Sequence, residues 1–240
     1  MLCIDTSAGT SISILRGDQV LAEVNESNTM FHAESIGASI RQALNIAELK
    51  GSQIQTVAVG RGPAPFTGLR VGIAAGTVFA EAVGARLLGV VSLDALAWSA
   101  LQDPERATQV SPAAPLLVTS DARRSEVYWA LYGGLSSHGL PMRSDLPAVN
   151  KPAALEEILI DRNTSAIRLK NFEDAFGTTP IATALGRVAL AMLAEGQDAH
   201  DVSPLYLRAP DAVLPKPHAR FGKAEFSKPV TTEAQRGEAK

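Results

Sequence analysis

Fourteen residues, Val59-Gly60-Arg61-Gly62-Pro63-Ala64-Pro65-Phe66-Thr67-Gly68-Leu69-Arg70-Val71-Gly72, constrain the fold more than any other part of the chain. They follow a β-branched run (Thr56, Val57, Val59) and open an apolar stretch, so they predict a strand that re-enters a helix through a glycine-rich turn. Thr67 is placed to cap that helix, and Phe66 and Val71 stand at hydrophobic-staple spacing. Free N–H groups at such a helix start can receive an anion, or the turn can be purely structural. Two phosphate-loop patterns fail here. No Lys follows Gly68, and Pro65 stands where a dinucleotide fingerprint needs its third glycine.

Apolar residues make up 46% of the 240 and charged residues 20%, the composition of a soluble globular chain with ample core. A formal net charge of −3 argues against a general nucleic-acid binder while leaving room for a local basic patch. The single Cys3 lies in an apolar run, is expected to be a buried, inert thiol, and fits a reducing cytoplasm. Asp5 interrupts the N-terminal apolar run too early for a signal peptide, and the uncharged stretch 71–80 is too short to span a bilayer. A cytoplasmic protein with no membrane association is expected.

Residues 2–5, 11–15 and 20–24 read as three strands, followed by a helix over 32–50 with Ile36, Ile40, Ala43, Leu44 and Ala47 on one stripe. Strand 56–59, helix 68–83, strand 87–91 and helix 93–101 complete a βββαβαβα order, a mixed sheet covered by helices. Three prolines in 102–115 mark a linker. Beyond it the opening layout recurs: residues 116–121 are an apolar run ending in Asp121, then a polar turn and an alternating strand over 126–132. A helix over 152–159, a strand near 166–169 and a helix begun by Thr179-Pro180 and stopped by Gly196 follow. From 215 onward the composition is that of a disordered tail. The expected organisation is one lobe over 1–102, a second over 115–208 and a tail over 215–240.

Together, Asp5-Thr6-Ser7, His32-Ala33-Glu34, Gly60-Arg61-Gly62-Pro63 and the run from Phe66 to Gly72 resemble the TsaB (YeaZ) family. Ser92-Leu93-Asp94-Ala95-Leu96, the run from Asp121 to Tyr128, and Pro204-Leu205-Tyr206-Leu207-Arg208 extend the likeness. It is specific over residues 1–133 and resumes near 203. The resemblance implies an actin-like (ASKHA) architecture of duplicated RNase H-like lobes. It also implies a non-catalytic dimerisation subunit of the machinery that forms N6-threonylcarbamoyladenosine in tRNA. Implied partners are the transferase subunit TsaD, the ATPase subunit TsaE and a second copy of the chain, with tRNA met only through the complex. No cofactor is implied for the chain itself, and ATP with Mg²⁺ only at the level of the complex.

The catalytic relatives hold a metal through an HxxxH pair; here His32 is followed at i+4 by Ile36, so no metal and no protease chemistry are expected. Asp5 and Asp121 end the first strands of the two halves. They form either a vestigial nucleotide site or a pair of turn and cap formers, and the second is favoured. A partner surface is expected on the first two helices, at His32, Ile36, Ile40, Leu69, Ile73, Ala74 and Thr77, because a helix apolar on every side needs cover on every side. Small residues Gly72, Ala75 and Gly76 would let another helix approach. The rival function is an ATP-dependent phosphotransferase of the actin-like kinase class.

Overall fold

A computed structural model describes residues 1–26, 32–168, 181–197 and 199–208, with side chains in the first helix described from Ser35. Strands β1 (Leu2–Asp5), β2 (Thr10–Arg16) and β3 (Gln19–Glu26) form an antiparallel meander, and β4 (Thr56–Gly60) and β5 (Arg86–Val90) add in parallel. The resulting order is β3-β2-β1-β4-β5. Alternation of Ser11, Ile12, Ser13 and Ile14 sends the isoleucines to the outer side of this sheet, where they join Ile36 and Ile40 of helix α1 (His32–Ile46) and Leu69 and Ile73 of α2 (Phe66–Val83).

The second sheet holds β6 (Leu116–Asp121), β7 (Val127–Leu135), β8 (Pro141–Arg143), β9 (Ala148–Asn150) and β10 (Ile167–Arg168). Its order is β10-β6-β7-β8, with β9 also paired to β7, antiparallel except for the parallel β6–β10 pair. Helix α5 (Pro152–Asp161) covers one face through Leu155 and Leu159 against Leu117, Trp129 and Leu131.

Between the sheets lie α3 (Ser92–Ala100) and α6 (Ile181–Ala194). Helix α6 rests on β1, β2, β4 and β5 and along α3, which in turn meets β6, β7 and β8. One buried cluster therefore runs from Cys3, Ala58 and Leu88 through Leu185, Val188, Leu93 and Leu96 to Leu116, Val118 and Tyr132. Polar bonds fix the register of α6: Ser11 Oγ accepts from Ala182 N at 3.1 Å, and the Ser13 and Thr183 hydroxyls meet at 2.6 Å. Cys3 sits in this cluster, and burial pushes its thiol up to about 12, which makes it the inert thiol expected.

Two local readings are corrected. The stretch 102–115 is not plain linker, because Asp103 accepts from Glu105 N and Arg106 N and starts helix α4 (Pro104–Gln109) with Pro at its first position. Thr67 does not cap α2. The helix starts two residues earlier than expected, at Phe66, with Pro65 at the N-cap and no side-chain cap bond. The predicted helix start at Thr179-Pro180 and the tail over 215–240 lie outside the described residues.

Candidate functional site

Two features come together at the start of α2: an open cleft and an uncovered helix face. Asp5 closes β1 with a fully buried carboxylate that accepts from Ser7 N at 2.8 Å, from Ser7 Oγ, and from Ser92 Oγ at 2.7 Å. Burial holds this carboxyl above its ordinary range, against the pull of those hydrogen bonds. Gly60 is required beside it, since a Cβ there would stand 1.9 Å from Asp5 Oδ2. Asp121 closes β6 in the same way, accepting from Arg123 N at 2.8 Å, but its side chain is exposed and also pairs with Arg123 at 3.7 Å.

The cleft has a volume of about 470 Å³. Its wall includes Thr6 and Ser7, the turn from Pro63 to Pro65, the first residues of α2 to Gly68, Ser92, Leu93, Leu96, Ser120, Asp121 and Arg123. Asp121 thus faces the cavity, whereas Asp5 stands behind it and reaches it only through Thr6 and Ser7. Arg123, Arg124 and Ser125 all have left-handed backbones (φ 63, 52 and 60°), a turn that costs L-residues about 1–2 kcal/mol each.

Residues 199–208 run back across this region. Gly89 N donates to Ala199 O at 2.7 Å and Leu205 N to Arg61 O at 2.7 Å, while Arg61 pairs with Asp201. Tyr206 then stacks on Phe66 with centroids 4.6 Å apart, and Arg70 Nε donates to Tyr206 Oη at 2.6 Å. Arg208 continues to Ala122 O at 3.2 Å and to Glu126. This cluster escaped sequence reasoning. Phe66 and Arg70 at i, i+4 were its visible half, but Tyr206 arrives from 136 residues away.

The predicted partner residues separate into two groups. Ile36, Ile40, Leu69 and Ile73 are buried between α1, α2 and the first sheet, whereas Ala74 is exposed and Thr77 half-buried. The His32 side chain lies outside the described residues. Gly72 and Gly76 serve this chain's own sheet rather than a foreign helix: Cβ atoms there would stand 2.3 Å from Thr6 Oγ1 and 2.2 Å from Val59 Cγ1. Only Leu69, Gly72, Ile73, Gly76 and Ala80 of the 18-residue α2 are buried, and Val78 is 69% exposed. By length and composition alone α2 could cross a membrane, yet its glycine face is seated on β4 and β1. Among the described residues no three His, Cys, Asp or Glu side chains gather to hold a metal.

Comparison with known proteins places this arrangement. Residues 19–145 match the family model described as TsaD, tRNA N6-adenosine threonylcarbamoyltransferase. An uncharacterized protein of Mycobacterium bovis is 37% identical over 160 residues, 65% of this chain and 67% of its own length. The tRNA threonylcarbamoyladenosine biosynthesis protein TsaB of Bacillus subtilis is 28% identical over 228 residues, 88% of this chain and 95% of its own. YeaZ from Pseudomonas aeruginosa superposes with a TM-score of 0.65 at 26% identity, covering 86% of this chain and 98% of that one. The chain is a mixed α/β protein that belongs to the TsaB/YeaZ family.

Proposed function

We propose that this chain is a cytoplasmic, non-catalytic scaffold in the formation of N6-threonylcarbamoyladenosine in tRNA, binding a TsaD-type transferase subunit through the outer face of α1 and α2. The carrying observation is the uncovered apolar face of α2, with Ala74 and Val78 turned to solvent on a TsaB/YeaZ-family chain. Apolar area left in water forgoes roughly 25 cal/mol per Å², so covering this face favours association. When TsaD is absent, a second copy of the chain takes its place. TsaE joins through the complex, and ATP with Mg²⁺ is needed there rather than by this chain.

The actin-like reading, two RNase H-like lobes related by duplication, draws support from strand order. Read from its far edge, β8-β7-β6-β10 repeats β3-β2-β1-β4, with the same antiparallel and parallel pairings. Asp5 and Asp121 repeat each other too, each accepting from the N–H two residues on. Against a phosphotransferase stands the Asp5 carboxylate, already bonded to Ser7 and Ser92 behind the cleft wall. The isolated chain should therefore turn over no ATP; steady hydrolysis lost in Asp121→Asn would restore the kinase reading.

The direct test is Ala74→Glu, with Val78→Glu beside it. Both positions are exposed, so folding stability should change by no more than about 0.5 kcal/mol. Buried in a contact, either carboxylate would be unpaired and strongly unfavourable. Sedimentation should show loss of self-association and of TsaD binding, with loss of the tRNA modification. Full retention of both contacts would move the interface elsewhere. Ile36→Glu is unsuitable for this purpose, because Ile36 is core and the charge would unfold the lobe.

A further inference from the structure

Residues 199–208 bridge the two walls of the cleft, and the two ends of this strap are built differently. The near end is fixed to the first half through its backbone: Gly89 N donates to Ala199 O and Leu205 N to Arg61 O, both at 2.7 Å. Glycine is required at 89, since a Cβ there would stand 2.1 Å from Asp201 O. Ser203 N donates to Asp201 Oδ1 at 2.9 Å, Arg61 pairs with Asp201, and Tyr206 packs on Phe66 and Arg70 at the start of α2. The far end is held through a side chain. Two residues on, a reach of about 7 Å of backbone, Arg208 Nη1 donates to Ala122 O at 3.2 Å and Arg208 Nε meets Glu126 at 3.4 Å.

Ala122 and Glu126 flank the left-handed run Arg123, Arg124 and Ser125, and Ala122 N donates to Glu126 O at 3.0 Å across its base. Three consecutive L-residues with positive φ persist only where their surroundings fix them, and Arg208 grips both ends of the run. The same turn carries Asp121 and Arg123 of the cleft's second wall, while residues 65–68 belong to the first. Inside the cleft a long neutral bond runs between the halves, from Tyr128 Oη to Ala64 O at 3.4 Å; Arg208 adds a charge-assisted tie.

We propose that residues 199–208 are a latch: the arm is fixed to the first half, and Arg208 is the catch that keeps the 123–125 turn wound and the cleft walls at one spacing. Release of the catch lets the turn relax to ordinary backbone and lets the walls part. None of residues 199–208 lines the cleft, so the latch sets its width rather than covering its entrance. The inference goes beyond the scaffold reading and does not rest on it.

Hydrogen exchange on the full chain carrying Arg208→Gln tests the catch. Loss of a hydrogen bond to a charged group corresponds to a factor of about ten to a hundred in an opening equilibrium, and the amides of Ala122 and Glu126 should exchange faster by about that factor. The start of α2, on the opposite wall, should also exchange faster, while α6 keeps the parent's protection. Ser125→Gly in the same background removes strain, because glycine takes positive φ freely. It should restore the turn amides and leave the start of α2 fast, since the strap still lacks its catch. Nitroxide labels on Thr67→Cys and Lys151→Cys, both exposed and one on each half, read the width; native Cys3 is buried and stays unlabelled. Arg208→Gln should shift their distance distribution to longer and broader values. An unchanged distribution, faster exchange at the turn alone, or a turn that Ser125→Gly does not restore would overturn the proposal. Exchange raised equally in α6 would make Arg208 a contributor to global stability and overturn it as well. Should Arg208→Gln fail to fold, Glu126→Gln weakens the same catch from its partner and takes the same tests.

Discussion

Helices α2 and α6 are built from nearly the same residues and live in opposite surroundings. Both are rich in Ala, Gly, Val, Leu and Ile, and both put glycine against a sheet. In the 14-residue α6 nine residues are buried, because the first sheet lies beneath it and α3 runs alongside toward the second sheet. In the 18-residue α2 only five are, because α2 lies in an outer layer. Composition sets how much cover a helix can use; position in the layers sets how much it receives. The shortfall on α2 is the reason to seek a partner there.

The largest expected difference between the helices is in what a truncated side chain costs. Leu185→Ala on α6 removes a fully buried side chain between well-packed neighbours and should lose about 2–5 kcal/mol of stability. Val78→Ala on α2 should lose no more than about 0.5 kcal/mol in the monomer. Denaturant titration of both, well below any self-association concentration, checks the pair. A costly Val78→Ala under those conditions would mean that α2 is covered within the monomer, and the contrast would collapse.

Glycine sharpens the comparison within the outer layer. Gly76→Ala gains helix propensity but drives a Cβ to 2.2 Å from Val59 Cγ1 in the core, so a net loss of about 1–3 kcal/mol is expected. Gly37→Ala on α1 meets nothing nearer than Arg41 Nη1 at 3.8 Å and should stabilise by about 0.5–1 kcal/mol. Thermal unfolding orders the two. Equal effects would mean that α2 can lift from the sheet.

How much of this was legible follows from range. The first sheet was read well because its signals are local: alternation in β2, a polar turn at Arg16-Gly17-Asp18, and an apolar run in β4. The glycine turn correctly placed α2 after β4. What the sequence could not settle was which face each residue takes. Ile36, Leu69 and Ile73 were expected on a partner surface, whereas in the structure they are buried between α1, α2 and the first sheet, with Gly72 and Gly76 seated on Thr6 and Val59. Strands β8 and β9, at three residues each, are too short for periodicity. Asp103-Pro104 was a readable helix start hidden by the prolines around it. The Phe66–Tyr206 stack joins segments whose only common signal is their meeting in space.

Acid titration separates interior from surface in the same manner. Burial raises Asp5, and it raises Asp94 despite the Arg143 guanidinium at 2.7 Å, above the ordinary value of 3.8. Exposed Asp201 is lowered by Ser203, through backbone and side chain, and then by Arg61. A raised folded pKa means that the native state keeps its proton to higher pH. The contribution of Asp5 is therefore full below its unfolded value and is lost as pH rises through its folded value. That of Asp201 has the opposite sign, present above 3.8 and lost as pH falls through its lowered value. Comparing the parent with Asp5→Asn by denaturant unfolding between about pH 4 and 7, the stability difference should shift in the parent's favour toward acid. A constant difference would show that Asp5 titrates as an ordinary carboxyl.

The smallest expected effect concerns the start of α2, where sequence and structure part most clearly. A Thr at a helix N-cap contributes about 1 kcal/mol through a bond from its oxygen to a backbone N–H. Here Thr67 is already inside the helix, exposed, and no side chain caps the turn. Thr67→Ala should therefore change monomer stability by no more than about 0.5 kcal/mol, and in either direction, since Ala is the better helix former. A loss near 1 kcal/mol would put the cap back on Thr67 and move the helix start by two residues. That would also turn Phe66 out of its i, i+4 relation to Arg70, so this small measurement bears on the Phe66–Tyr206 stack as well as on the helix end.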